Sequence, residues 1–320
     1  MRAAVYYETG SPDVFRYEEV PDPECFPGAV VVQVEAISIE GGDTLNRLGG
    51  DMPAVPHIVG YQCAGTIIEV GEGVTDRHVG QKVVATSFYG SHAERFVALA
   101  LLTWPIPEGA DVIACACVPV AFGTASDCLF EFGHLQAGET VLIQAGAGGV
   151  GTAAIQLAKR AGATVLATAS SPERLERLRE LGMDHGIDYT NDGWVEAVRA
   201  VSGGWGVNLV VDSVGGKVLD GSIACLAPRG RAISVGSAGR DPQLLDISNL
   251  APGNRSLTGV FFGAEIGTER AQKLVGDLVD DVATGALKVV VDRTFPLADA
   301  AAAHEFIESR QAVGRVVLIP

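Results

Sequence analysis

Along the first 120 residues, apolar positions gather in short runs: Ala3 to Tyr7, Val30 to Ile37, Gly65 to Val70, Lys82 to Thr86 and Ala93 to Val97, separated by Gly, Pro and Asp. That rhythm predicts a mainly β unit built from short strands and turns. From about residue 121 the period lengthens. Val150, Ala153, Ala154, Leu157 and Ala161 fall at helical spacing, Gly162 closes the helix, and an apolar strand runs from Thr164 to Thr168. Ser171 then stands as an N-cap with Pro172 at the first helical position, Leu175, Leu178 and Leu181 share a face, and Gly182 is the stop. Further strands are expected at Gly186 to Tyr189, Leu209 to Asp212 and Arg231 to Val235, with a helix over Trp194 to Val201 between the first two. Such alternation specifies a parallel sheet with crossover helices. The last 60 residues read as a helix (Glu269 to Ala283), a strand, a second helix through Ala300 to Ser309, and a terminal strand Arg315 to Ile319.

The first strand of the alternating region runs into "VLIQAGAGGVG", where Gly146, Gly148 and Gly151 repeat as G-x-G-x-x-G. Gly146 is expected to permit the tight turn, Gly148 to let backbone approach a pyrophosphate, and Gly151 to let the helix pack on its strand, with the positive helix end facing phosphate. With 40 glycines in 320 residues, chance supplies roughly half such a pattern per chain, so the motif rests on its context. The context is present, with an apolar strand before it and an amphipathic helix after. Sites for NAD place Asp or Glu roughly 20 residues further on, at the tip of the second strand. Here "TASSPER" offers Ser170 and Ser171 at that point and Arg174 one turn into the helix. A carboxylate would repel a 2′-phosphate, whereas a hydroxyl, helix-start amides and a guanidinium attract it, so NADP(H) is favoured. The alternative is that Ser171 only caps the helix and Arg174 is a solvated charge.

Composition narrows the classes. The formal charge of −16 disfavours nucleic acid and anionic membrane surfaces as partners. Six cysteines at 25, 63, 115, 117, 128 and 225 have no framework spacing and read as reduced, mostly buried thiols. "MRAAVYYE" lacks the apolar core of a signal peptide, and the longest uncharged stretches are interrupted by Pro105, Pro107 and Pro119, so a cytoplasmic protein is expected.

Five stretches together are more specific than the glycine turn: "MRAAVYYETGSPDVFRYEEVPDP", "VGEGVTDRHVGQKVV", "LQAGETVLIQAGAGGVGTAAIQLAKRAGATVLATASS", "VVDSVGG" and "AHEFIESRQAVGRVVLIP". Through them the chain resembles the medium-chain dehydrogenase/reductase superfamily, in its zinc-independent quinone oxidoreductase (zeta-crystallin-like) branch. The resemblance implies an α/β fold in which a Rossmann doubly wound parallel sheet domain is inserted in a mainly β GroES-like catalytic domain. The expected segments are 1–120 for the first part of the catalytic domain, 121–260 for the NADP-binding domain and 261–320 for the part that completes the catalytic domain. It also implies a substrate cleft between domains and a homodimer.

By the same resemblance, Ser170, Arg174, Tyr189 and Arg310 match the positions that hold the 2′-phosphate of NADPH. Thr124 and the backbone at Gly148, Gly149 and Val150 would meet the diphosphate or adjoining ribose, and Gly236, Ser237 and Phe261 would lie along the nicotinamide. Relatives that oxidise alcohols hold catalytic zinc through a Cys, a Gly-His-Glu histidine and a later Cys or His. Here "GYQCAG" puts Tyr61 and Gln62 in place of His and Glu, and Cys63 alone cannot assemble a site. No metal is expected.

Hydride transfer to an electron-poor acceptor needs orientation, exclusion of water and stabilisation of a developing enolate or hydroquinone anion. Glu40 occupies a position where many relatives carry Asn, and a carboxyl in an apolar cleft can serve as a proton donor. The other reading is a structural carboxylate paired with an Arg or backbone amides. Tyr61 is a candidate hydrogen-bond partner of a carbonyl oxygen, or core filler. Asn46, Tyr89 and Phe261 are candidates for the substrate pocket, His92 reads as a loop hydrogen-bonder, and Asp127 belongs to the helix after Thr124 without a derivable role. The expected activity is NADPH-dependent, zinc-independent reduction of quinones or activated alkenes (α,β-unsaturated carbonyls). An enoyl-thioester reductase and a non-enzymatic, crystallin-like NADPH-binding protein are the alternatives.

Overall fold

The run of valines beginning at Ala29 becomes the strand Ala29–Ser38, nearly all of which is buried because it is paired on both sides. Gln62–Val70 and Arg95–Leu99 flank it antiparallel, and the terminal strand Arg315–Ile319 pairs with its far end through Val317↔Ser38 and Leu318↔Ile37. Val291–Pro296 extends this seven-stranded sheet on one side, and Lys82–Thr86 followed by Thr103–Pro105 on the other. Val30, Val32, Val34, Ile37, Cys63, Ile67, Phe96 and Leu318 form the core beneath it. A smaller sheet orders Arg16–Glu19, Arg2–Tyr6 and His57–Ile58. These elements belong to one of two units in the computed structural model, which describes residues 1–320: Met1–Val120 with Gly263–Pro320, and Ala121–Phe262.

The second unit carries a six-stranded, wholly parallel sheet in the order His185–Asp188, Thr164–Ala169, Thr140–Ile143, Val207–Asp212, Leu226–Ser234, Ser256–Gly259. Numbered along the chain this is 3-2-1-4-5-6, the doubly wound dinucleotide order, in which the strand order reverses between Thr140–Ile143 and Val207–Asp212. Both expected glycine stops occur, with Gly162 at φ +81° and Gly182 at φ +108°. Ser171 caps the helix Pro172–Arg179 by accepting the Arg174 amide at 3.4 Å.

Several elements have no clear apolar period. The helix Gly41–Gly49 opens on two glycines, and its start is fixed by the Glu40 amide donating to the Asp43 carboxylate at 2.8 Å. Arg16–Glu19 and Ser256–Gly259 are strands by their pairing alone, since their positions alternate weakly. Asp127 lies past the end of the helix Val118–Ser126, in a π-helical turn Asp127–Glu131 where it is buried. All six cysteines are free, and all but Cys25 are buried. No helix is long and apolar enough to cross a membrane.

Candidate functional site

In the parallel-sheet unit, the strand Thr140–Ile143 passes through the glycine turn into the helix Gly149–Arg160, whose N-cap is Gly148. The left-handed residue of the turn is Ala145, at φ +50°, rather than Gly146. Gly146 must lack a side chain for a different reason: a Cβ there would sit 2.8 Å from the Ala167 Cβ and 2.9 Å from the Leu178 Cδ1. At Gly151 a Cβ would lie 2.5 Å from the Ala145 carbonyl oxygen. These two glycines let the protein pack on itself. Gly148 differs, since it is exposed and a Cβ there would meet only the Ala145 oxygen, at 3.3 Å. No side chain caps this helix, so its first amides are presented at the part-exposed Gly149 and Val150. That is the physical make-up of an anion site.

The second strand, Thr164–Ala169, ends one residue before Ser170, whose hydroxyl accepts from Arg174 Nη1 at 3.0 Å. Arg174 is therefore tied to the strand end while Ser171 caps the helix. Tyr189 follows the third strand, its amide bonded to the Ala169 carbonyl at 3.2 Å, which brings it beside the same strand end. Gly236 and Ser237 are exposed after the strand Leu226–Ser234, Phe261 is exposed, and Thr124 is buried in Val118–Ser126. The glycine turn and tight strand-end loops thus fit a dinucleotide, and Ser170 with Arg174 fit an added phosphate. Arg310 belongs to the other unit, where it follows the helix Ala300–Glu308 at φ +58°.

In the mainly β unit, Glu40 is buried at the N-cap of Gly41–Gly49. Its Oε1 accepts from Ser38 Oγ at 3.3 Å, from Gln62 Nε2 and from Arg315 Nη2. Arg315 also donates to Ser38 Oγ (3.1 and 2.6 Å) and to the Ile39 carbonyl (2.7 Å), while the Gln62 Oε1 accepts from the Val120 amide at 3.1 Å. Burial pushes the Glu40 carboxyl up despite the opposing pull of Arg315. Burial also holds Asp43 well above the usual carboxylate range.

Tyr61 is raised well above the usual phenol value by burial and then by Asp43 and Glu40, and the Gly42 amide donates to its oxygen. At neutral pH it is a neutral phenol whose O–H can donate. Asn46 is exposed and Tyr89 half-exposed, its ring 5.4 Å from that of His57. His92 faces a partner far along the chain: its Nε2 lies 3.0 Å from His304 Nε2, both rings being buried. Spacing and periodicity gave no sign of Arg315 or His304, because their partners are hundreds of residues away.

Tyr61 and Gln62 stand on or beside the strand Gln62–Val70, and Cys63 next to them is wholly buried. No three His, Cys, Asp or Glu side chains are grouped to hold a metal ion. This donor set does not fit zinc.

Comparison with known proteins gives the family. Residues 26–159 match the family described as alcohol dehydrogenase GroES-like domain, and residues 149–280 the one described as zinc-binding dehydrogenase. A 2-haloacrylate reductase from Burkholderia sp is 34% identical over 331 aligned positions, covering 99% of this chain and 98% of the relative. The chain belongs to the medium-chain dehydrogenase/reductase superfamily. Within that superfamily it falls in the quinone oxidoreductase and 2-haloacrylate reductase branch. Escherichia coli quinone oxidoreductase, solved in complex with NADPH, superposes with a TM-score of 0.95 at 28% identity over the whole of both chains. A mycobacterial protein solved with NADPH gives 0.94 at 35% identity, again over both whole chains. The superfamily's α/β architecture, a Rossmann sheet with a mainly β GroES-like domain, is therefore that of this oxidoreductase.

Proposed function

We propose that this superfamily member is an NADPH-dependent reductase of quinones or activated alkenes. The observation that carries the reading is Arg174 bonded to Ser170 at the end of the second strand, where a site for NAD would carry an acid. Two relatives support it by name, since a 2-haloacrylate is an electron-poor alkene and a quinone an electron-poor ring. Ser170, Arg174 and Tyr189 are assigned to the 2′-phosphate. Gly148, Gly149, Val150 and Thr124 are assigned to the diphosphate and ribose, and Gly236, Ser237 and Phe261 to the nicotinamide side. NADPH, when bound, supplies the hydride.

The chain's own residues have the remaining tasks. Tyr61, kept neutral, is assigned to donate a hydrogen bond to the acceptor's oxygen as negative charge grows there. Asn46 and Tyr89 are assigned to the acceptor pocket. Glu40 enters as the counter-ion that fixes Arg315 and Gln62, which its Oε1 partners favour, or as a proton source for alkene reduction. Glu40→Gln separates these roles: selective loss of enone turnover with quinone turnover kept marks the proton source.

The test of the whole is steady-state oxidation of NADPH and NADH with a quinone and an enone panel. Arg174→Glu is expected to lower kcat/KM for NADPH at least tenfold more than for NADH. Equal losses would remove the phosphate assignment. Tight NADPH binding without turnover of any acceptor would favour a non-enzymatic protein.

A further inference from the structure

Four buried side chains outside the assigned contacts cross the parallel sheet at the carboxyl ends of three adjacent strands. The Ser222 hydroxyl donates to Asp212 Oδ2 at 2.7 Å, Gln144 Nε2 donates to Ser222 Oγ at 3.0 Å, the Thr168 hydroxyl donates to Gln144 Oε1 at 2.8 Å, and the Ala145 amide donates to Thr168 Oγ1 at 3.1 Å. None of the four is more than 3% exposed. The direction of each bond follows from one charge. Asp212, as a carboxylate, only accepts, so it takes the Ser222 proton; Ser222 then takes an N–H from Gln144, which turns the Gln144 oxygen toward Thr168, whose lone pair is left for Ala145.

Both ends of this chain of bonds grip turns. At one end Ala145 is the left-handed residue of the glycine turn, and the Thr168 carbonyl accepts the next amide, Gly146, at 2.9 Å. At the other, Asp212 Oδ1 accepts the Val214 and Gly215 amides at 2.8 Å each. The segment Gly236–Gly239 rests on that second turn, through Ala238 N to the Ser213 carbonyl (3.0 Å) and Gly239 N to the Val214 carbonyl (2.9 Å). The backbones are in close register there: a Cβ on Gly215 would lie 3.3 Å from the Gly236 oxygen.

We infer that Asp212, Ser222, Gln144 and Thr168 are positioning residues that lock the glycine turn and the Val214–Gly215 turn into a single arrangement. On the NADPH reading proposed above, on which its functional meaning rests, this sets the diphosphate seat and the nicotinamide-side segment Gly236–Ser237 relative to each other before the cofactor arrives. The coupling itself is a property of the free protein.

The experiment uses the full chain with Thr168→Val, Ser222→Ala and the conservative Thr168→Ser. Hydrogen exchange without ligand is read at both turns, and Kd is measured for NADPH and for 2′-AMP, which lacks the diphosphate and nicotinamide. Each of the first two variants is expected to speed exchange at the turn remote from it, at Val214–Gly215 for Thr168→Val and at Ala145–Gly151 for Ser222→Ala. Loss of one buried hydrogen bond should weaken NADPH about tenfold, with 2′-AMP unchanged and Thr168→Ser close to wild type. Remote exchange unmoved in both variants, or 2′-AMP weakened as much as NADPH, would overturn the coupling. Remote exchange that rises while the wild-type protein binds no NADPH would uphold the coupling and sink the cofactor reading instead.

Discussion

Glu40→Gln strips one charge from a buried pair and leaves its shape. The guanidinium of Arg315 would keep its bonds to Ser38 and the Ile39 carbonyl, and the new amide oxygen remains an acceptor for it. What is lost is the opposite charge, worth ~4 kcal/mol for two ions about 4 Å apart at an effective permittivity of about 20. Part of this is returned, because Glu40 is raised by burial and so already pays for its own desolvation. Arg315 has no such relief, since burial acts to lower it and Glu40 is the leading opposing influence. A net loss of about 3 kcal/mol follows, as expected when one partner of a buried pair is removed.

The assay is urea unfolding followed by Trp104, which is buried in the same unit with its Nε1 donating to the Gln272 carbonyl at 2.9 Å. Trp194 and Trp205 lie in the other unit and are replaced by Phe so that one emitter remains. Adding Arg315→Met to Glu40→Gln should recover stability to within about 1 kcal/mol of the parent, since two apolar or neutral groups replace a charge left alone. A single variant within ~1 kcal/mol of the parent, or a double variant no better than the single, would refute the reasoning.

Gly151→Ala would drive a Cβ to 2.5 Å from the Ala145 oxygen and should destabilise the parallel-sheet unit by ~2 kcal/mol or more, whereas Gly148→Ala, meeting only that oxygen at 3.3 Å, should leave thermal unfolding unchanged and weaken NADPH binding. Intact binding by Gly148→Ala would remove the diphosphate assignment. Tyr61→Phe should lower kcat for enones by roughly tenfold to a hundredfold without raising KM for NADPH; unchanged kcat would mark Tyr61 as a packing residue. The pair His92 and His304 is held neutral by burial, His92 pushed down to about 3 and His304 well below its usual value. The unfolded rings titrate near ~6.5, so the unfolded chain takes up protons that the fold refuses, and stability falls as pH drops below that value by up to ~1.4 kcal/mol per pH unit per ring. Unfolding at pH 7 and pH 5 should show a fall that His92→Gln/His304→Gln lacks; this comparison cancels Glu40 and Asp43, whose raised values act in the opposite direction. Equal slopes would refute the assignment.

The alternating half of the protein is legible in the sequence because its signals are local. The Ser171 cap, the Pro172 start, the stops at Gly162 and Gly182 and the apolar strands each lie within a few residues of the structure they specify. The 3.6-residue helical period has enough length there to stand out. The hydrogen bond between Ser170 and Arg174 is local too, since the two are separated by about one helical turn. The reading of Gly146 as the turn-maker failed on a tertiary fact: the strain falls on Ala145, and Gly146 is bare because Ala167 and Leu178 crowd it.

Only the folded chain decides the rest. Glu40 meets Arg315 across 275 positions and His92 meets His304 across 212, and each of these residues looks ordinary in its own stretch. Gln144, Thr168, Asp212 and Ser222 likewise read as unremarkable polar residues at strand ends or in a helix, until parallel pairing sets three strands side by side and makes one continuous line of hydrogen bonds. Local propensity and period are written along the chain within a turn or two. A buried charge or hydroxyl takes its meaning from a partner that strand pairing supplies, and no local pattern encodes that partner.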